Sequence, residues 1–523
     1  MHKLLRFTAA LLMLLVLSIP QALALTDTLV CGIVATDDLA LRPLELNQRD
    51  AVSVLDLVYE GLFTLDDDYA PQPELAYSYS FISEGRRLEV KLREGITFHN
   101  GQELTARDVV ATLDYMYALS GFDSDLNSDV DTTDRGLYYS TFYSIKSWEA
   151  TDDRTVLFTM RRASYGSLYA LTFPILPASE VGNDMPSGTG PYKYDGYEPG
   201  SAIWLTANTG WWKRVPTIRY IRANIYSDSE KALSAFDAQD IDVAMTRSIN
   251  ASRYSGSLSS YSLTARTRQL EALLINRVQT LFKSDDNGQN LVREAISYAI
   301  NRSEIISSIY QGMATVAYTP VPGGTWLSNE STIHDIYDPL MAASLLDSAG
   351  YKLADDGKRY KDGKAFPTLY ILTYDEPGST VRTNAANKIK EQLAAVGIPA
   401  IVSTKDRAYV LMKLKSADYT LVLAAFNFDV NPDPGFTVAS TGACNYTRYR
   451  SDDMNSLLTQ LRSSYTADSY KYVMQLIQDQ FEQDKPYLPL YWRAGALLSR
   501  EAFTNARDIR ELELLRGVES FGN

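Results

Sequence analysis

The chain predicts an α/β fold. Stretches of two-residue apolar alternation, as in Leu88-Val90-Leu92, take turns along the chain with stretches of helical spacing, as in Leu291–Asn301. Helix stops such as Gly397-Ile398-Pro399 lead straight into strand-like runs. The length of 523 residues exceeds what one hydrophobic core usually holds, so two or three lobes are expected.

Lys3 and Arg6 are the only charges before an apolar run from Phe7 to Leu17, and Ala22-Leu23-Ala24 has the small-x-small pattern of a signal peptidase site. Residues 1–24 therefore read as a cleaved secretory signal, because the run is shorter than the roughly 20 residues that span a bilayer. No later run is apolar for long enough to anchor the chain, so an exported, soluble mature protein is expected. Cys31 follows Val30 rather than a small residue, and Asp27 separates it from the apolar run, which argues against acylation. With Cys444 as the only other cysteine, one disulfide or two independent thiols remain open.

Asp50 is placed to cap a helix carrying Val54, Leu55 and Val58, closed by Gly61. Strand 88–92 is followed by a short strand at Ile96-Thr97-Phe98 and a tight turn at Asn100-Gly101. Thr105-Ala106-Arg107-Asp108 has capping-box spacing and opens a helix with Val109, Leu113, Met116 and Tyr117 on one face. Asp123–Asp134 is polar and acidic and reads as a surface loop. Helices follow at Leu291–Asn301 and after Asp338-Pro339, the latter stopped near Gly350. Residues 369–425 read as strand Leu369–Tyr374, helix Ala385–Val396, strand Ile398–Val402 and strand Tyr419–Ala425. A last helix spans Asp468–Gln483, with Val473, Leu476, Ile477 and Phe481 apolar.

The net charge of −14 becomes more negative once the leader, with its two cations, is removed, which argues against a nucleic-acid or anionic-membrane partner. Tyrosine is abundant at 35 residues, which suits recognition of peptides or sugars and equally suits a large core. Only His99 and His334 remain after the leader, and no HExxH, CxxC, G-x-S-x-G or Walker loop is present. A catalytic His99 needs a nucleophile and an orienting partner, and a metal-bound one needs further ligands. His99 is therefore expected to stabilise its turn, with no metal and no cofactor.

Leu92–Val109, "LREGITFHNGQELTARDV", resembles the family 5 extracellular solute-binding proteins, whose pattern is L-x-x-G-[IV]-x-F-H-[DN]-G-x-x-[LF]-T-A-x-D-V. Leu57-Val58-Tyr59-Glu60-Gly61-Leu62, Gly188-Thr189-Gly190-Pro191-Tyr192, Val292–Arg302 and Ala342–Tyr351 resemble further family segments in the same order. The resemblance implies a two-lobed, three-domain receptor of an ABC importer, closing over its ligand without catalysing a reaction. Carried over, domain I comprises 25–50, 187–267 and 488–523, domain II 51–186 and domain III 268–487.

Candidate ligand contacts concentrate in Phe426-Asn427-Phe428-Asp429-Val430-Asn431-Pro432-Asp433-Pro434, at the exit of an apolar strand. Peptide-binding members carry W-x-x-D-x-x-[DE]-P there, and their first acid pairs with the ligand's α-amino group. The resemblance implies Asp429 in that role, flanked by Phe426 and Phe428. Phe426 stands where tryptophan is usual, and one extra residue precedes Asp433-Pro434, which keeps Asp433 as the alternative. Arg382 is a candidate for a ligand carboxylate, with a surface arginine as the competing expectation. Trp326, after Pro322-Gly323-Gly324, is expected either to wall off a ligand side chain or to pack in the core. The expected function is capture of oligopeptides or dipeptides by a monomeric receptor at the outer face of the cytoplasmic membrane, for delivery to ABC permease subunits. Oligosaccharide, metal-chelate or haem receptors are the alternatives on the same fold, and a secreted hydrolase is the rival from another class.

Overall fold

The computed structural model describes residues 27–121, 138, 140–257, 259–284, 290–333, 336–376, 378–500 and 509–520. The leader, the Asp123–Asp134 segment and His334 lie outside the described residues.

An eleven-stranded mixed sheet runs through most of the molecule. One end is built on the strand Thr28–Val34, parallel to Tyr220–Tyr226 and Val243–Thr246. The other is built on Leu369–Thr373, parallel to Ala400–Thr404 and Leu421–Asn427. Two long antiparallel strands, Tyr261–Ile275 and Leu488–Ser499, join the two ends. Their pairing slips between Arg266 and Leu270, a bulge that bends the sheet where the two ends meet. A separate four-stranded antiparallel sheet holds Ala76–Ile82, Arg87–Leu92, Thr155–Met160 and Ile145–Asp152. The apolar alternation of Leu88, Val90 and Leu92 is what this sheet buries against the helix Ala106–Ser120.

Most expected elements are present, with shifted ends. Asp338 caps the helix Pro339–Ser348, accepting from the amides of Leu340 and Met341. The capping box forms as expected, with Thr105 N donating to Asp108 Oδ2 at 2.8 Å. The helix expected behind Asp50 instead begins at Arg49 under Gln48 and ends at Leu55. Asp50 is buried, and its carboxylate accepts from Val34 N and pairs with Arg247, so a long-range contact outcompetes the local cap. The expected strand at 96–98 is reduced to one bridge, Thr97 to Glu103, because the Asn100-Gly101 turn leaves no length for a ladder.

Cys31 is fully buried in mid-strand, opposite Ala223 and Val243, and Cys444 is half-buried; both are free. Burial pushes the Cys31 thiol up to about 12. No helix among the described residues is long and apolar enough to cross a membrane.

Candidate functional site

Two cavities of about 220 Å³ each open beside the bulge and share Tyr69, Arg266, Arg268 and Val430 in their walls. Each is modest for a small-molecule site, but as adjoining compartments they reach the usual size range. The bulged strand supplies Arg266 and Arg268, and the strand exit after Asn427 supplies Phe428, Asp429 and Val430. Phe428 N donates to Arg268 O at 2.9 Å, which ties the exit loop to the bulge. Tyr69 fills the junction, between the guanidinium groups of Arg266 at 5.7 Å and Arg510 at 4.9 Å.

The second compartment is mainly apolar, walled by Val321, Trp326, Phe428 and Trp492, with Asp429 and Arg493 at its polar edges. The Asp429 side chain is 40% exposed; it accepts from Val430 N and lies 4.0 Å from Arg268 Nη1. Phe428 is held edge-on against Phe436 and Trp492. Trp326 donates from its ring to Tyr169 Oη at 2.7 Å and from its amide to Asp68 O, while its ring stacks on Tyr470. It is thus both a cavity wall and a bridge between distant parts of the chain.

The remaining candidates sit elsewhere. Asp433 accepts from Arg462 through both oxygens, at 2.6 and 3.1 Å, and from Gly435 N at 2.7 Å. It pins the proline-rich turn to the helix Asp452–Leu461 and lines neither cavity. A Cβ at Gly435 would displace the Arg462 guanidinium from its place on Asp433. Phe426 is buried against Phe436 and Tyr487, away from both cavities. Arg382 is neither at the surface nor in the chamber. It is 3% exposed and grips the fully buried Glu271 at 2.9 and 2.7 Å. Arg493, which also binds Glu376, is the cation of this neighbourhood that faces the cavity.

The first compartment is the more polar of the two, and most of its residues were not anticipated: Asp56, Glu60, Lys213, Arg510 and Glu513 among them. Glu60, of the Tyr59-Glu60-Gly61 motif, accepts from Trp211, Trp212 and Thr189 and pairs with Lys213 at 3.6 Å. Burial, reinforced by nearby Glu74, pushes its carboxyl up to about 8. One signal for this compartment stood in the sequence: Arg266 and Arg268 interrupt an apolar strand. The rest depends on residues from about 130 to more than 400 positions apart, as Thr189 donating to Glu60 and Arg510 donating to Leu65 O illustrate.

His99 serves as scaffold. Its Nε2 donates to Gly190 O at 3.0 Å, and its Nδ1 accepts from Gly188 N at 3.3 Å. Burial holds it down to about 4, so the ring is neutral. Gly188 and Gly190 lie so close to the Leu57 and Val58 carbonyls that neither has room for a Cβ.

A sheet bent at a bulge, two chain crossings and an enclosed chamber with an acid, cations and aromatic walls define a cleft-type binding protein. The model of bacterial extracellular solute-binding proteins, family 5 (middle region) matches residues 70–448, and the chain belongs to that family. It is 26% identical over 471 residues to the oligopeptide-binding protein AppA of Bacillus subtilis (strain 168), covering 84% of this chain and 82% of that protein. It is 27% identical over 399 residues to the glutathione-binding protein GsiB of Escherichia coli (strain K12), covering 74% and 70%. Among solved structures it is similar to NikZ from Campylobacter jejuni in complex with Ni(L-His), with TM-score 0.68, 21% identity and coverage of 95% and 99%. AppA from B. subtilis in complex with a nonapeptide gives TM-score 0.64, 24% identity and coverage of 94% and 98%. The fold is the two-lobed α/β fold of this family. The protein is a substrate-binding receptor of an ABC importer, working with permease subunits and catalysing no reaction.

Proposed function

We propose that the receptor captures short peptides, with Asp429 meeting the ligand's α-amino group and the aromatic compartment accommodating an adjoining side chain. The observation that carries this reading is the contrast between the two acids of the exit loop. Asp433 is occupied by Arg462, while Asp429 faces the chamber with its nearest cation 4.0 Å away. A carboxylate there gains a charge-assisted hydrogen bond from an ammonium group. Arg493, on the same compartment, supplies a positive edge for a carboxylate or a peptide carbonyl. AppA and GsiB, as their names state, bind oligopeptide and glutathione, both carrying the termini that such an arrangement recognises.

The lobes divide, in this reading, at the two strand crossings near 267 and 488, and domain II (51–186) closes one side of the chamber. Closure is then a population shift favoured by a ligand that touches both sides. The receptor works as an exported monomer at the outer face of the cytoplasmic membrane. Trp326 and Trp492 also favour a second reading, stacking on a sugar ring. Calorimetric titration against tripeptides and against oligosaccharides separates the two. Peptide binding that weakens in Asp429→Asn supports the proposal, and binding of sugars alone overturns it.

A further inference from the structure

We propose that Asp56 is a second ligand-binding acid, one that takes a basic side chain of the bound peptide. This rests on the peptide reading above and assigns the occupant of the polar compartment.

Asp56 follows the last turn of the helix Arg49–Leu55, and its carboxylate lines the first cavity. Among the described residues, every other acid in that wall has a cation within 4.0 Å. Lys213 serves Glu60 and Glu74, and Arg49 and Arg247 serve Glu511. Arg510 and Arg516 serve Glu513, and Arg214 serves Glu519. The Asp56 carboxylate makes neither a hydrogen bond nor an ion pair with any described residue.

The nearby cations are not free to turn to it. Arg510 is tied to the carbonyls of Leu65 and Asp66 and to Glu513, and Arg516 is tied to Glu513 and Asp67. Asp56 is exposed on its open side, while the rest of it sits in the cavity wall. Enclosure therefore pushes its carboxyl well above the usual range, with Glu513 adding to the effect.

A carboxyl held up in this way favours its protonated form, and a cation entering the cavity stabilises the ionised form instead. A lysyl or arginyl group does so with a charge-assisted hydrogen bond. A side chain fits the compartment better than the α-amino group does, because that group is taken by Asp429 in the adjoining compartment. The two compartments adjoin, sharing Tyr69 and Arg268 in their walls, so one ligand that displaces the Tyr69 ring reaches both acids.

The test is calorimetric titration of the purified protein with Lys-Ala-Ala, Ala-Lys-Ala and Ala-Ala-Lys, each beside its norleucine counterpart. Norleucine keeps the length and loses the charge. The wild-type protein is expected to prefer lysine at one position by about tenfold or more, one ionic contact's worth. In Asp56→Asn the lysine-to-norleucine ratio at that position collapses towards one. Because the ratio is taken within each protein, an effect of the substitution on the cleft as a whole cancels. Equal binding of the two series by the wild type, or a lysine preference that survives in Asp56→Asn, overturns the assignment and leaves the peptide reading standing. Failure of every peptide to bind overturns the peptide reading and this inference with it.

Discussion

Arg462 holds both carboxylate oxygens of Asp433, one of the two acids of the Phe426–Pro434 segment, at 2.6 and 3.1 Å. The other, Asp429, is left facing the chamber. On the proposed reading the two acids divide into a structural and a binding role, which substitution distinguishes. Asp433→Asn is expected to lower stability by about 1–2 kcal/mol, with peptide affinity retained in the folded fraction. Asp429→Asn is expected to lower peptide affinity about tenfold to a hundredfold with little change in melting temperature. Paired melting curves and titrations check both.

Arg382 and Glu271 form a buried pair, and truncating one member strands the other. Arg382→Ala is expected to destabilise the protein by about 3–5 kcal/mol, whereas replacing both with apolar residues of similar volume recovers most of that loss. Denaturant unfolding of the single and double variants measures the difference.

Two buried groups give pH dependences of opposite sign. His99 is held down to about 4, below its value of about 6.5 in an unfolded chain. Its contribution is fully present above pH 6.5 and is lost as the pH falls towards 4. The stability gap between wild type and His99→Gln should therefore narrow as the pH is lowered across that window.

Glu60 is pushed up to about 8, so the folded state binds its proton more tightly than the unfolded state. Its contribution falls as the pH rises from the usual carboxylate range to about 8. The gap between wild type and Glu60→Gln should narrow in the alkaline direction. Melting curves from pH 4 to pH 9 test both signs in one series.

Trp326 spans the apolar compartment and the Tyr169 hydroxyl. Trp326→Phe keeps the ring and loses the hydrogen bond, at an expected loss of about 1 kcal/mol in stability. A peptide side chain lying against Trp326 is expected to shift the tryptophan fluorescence on titration, and the shift should be smaller in the variant, where Trp492 is the tryptophan left in that wall among the described residues.

Local patterns were legible in the sequence, and distant partnerships were not. The helix after Asp338 and the capping box at Thr105 depend on neighbours within a few residues, so spacing alone reveals them. Asp50 looks like a cap for the same reason, yet Val34 and Arg247 claim it across the fold. The Phe426–Pro434 segment was legible as a strand exit, but which acid faces the cavity depends on Arg462, 29 residues beyond Asp433. Arg382 carries no local mark of burial, because its partner Glu271 lies 111 residues away. Asp56 was invisible as a candidate, since its distinction is that no ion pair or hydrogen bond reaches its carboxylate among the described residues, in a wall where the other acids have one.

The central claim is that the chamber holds a short peptide. Native mass spectrometry of the receptor purified without denaturation, followed by release and sequencing of whatever it carries, tests this most directly. A mixture of short peptides bound one to one, enriched in lysine or arginine, is the predicted result. A chamber that carries only oligosaccharide, haem or a metal chelate, and exchanges none of it for peptide, would contradict the account.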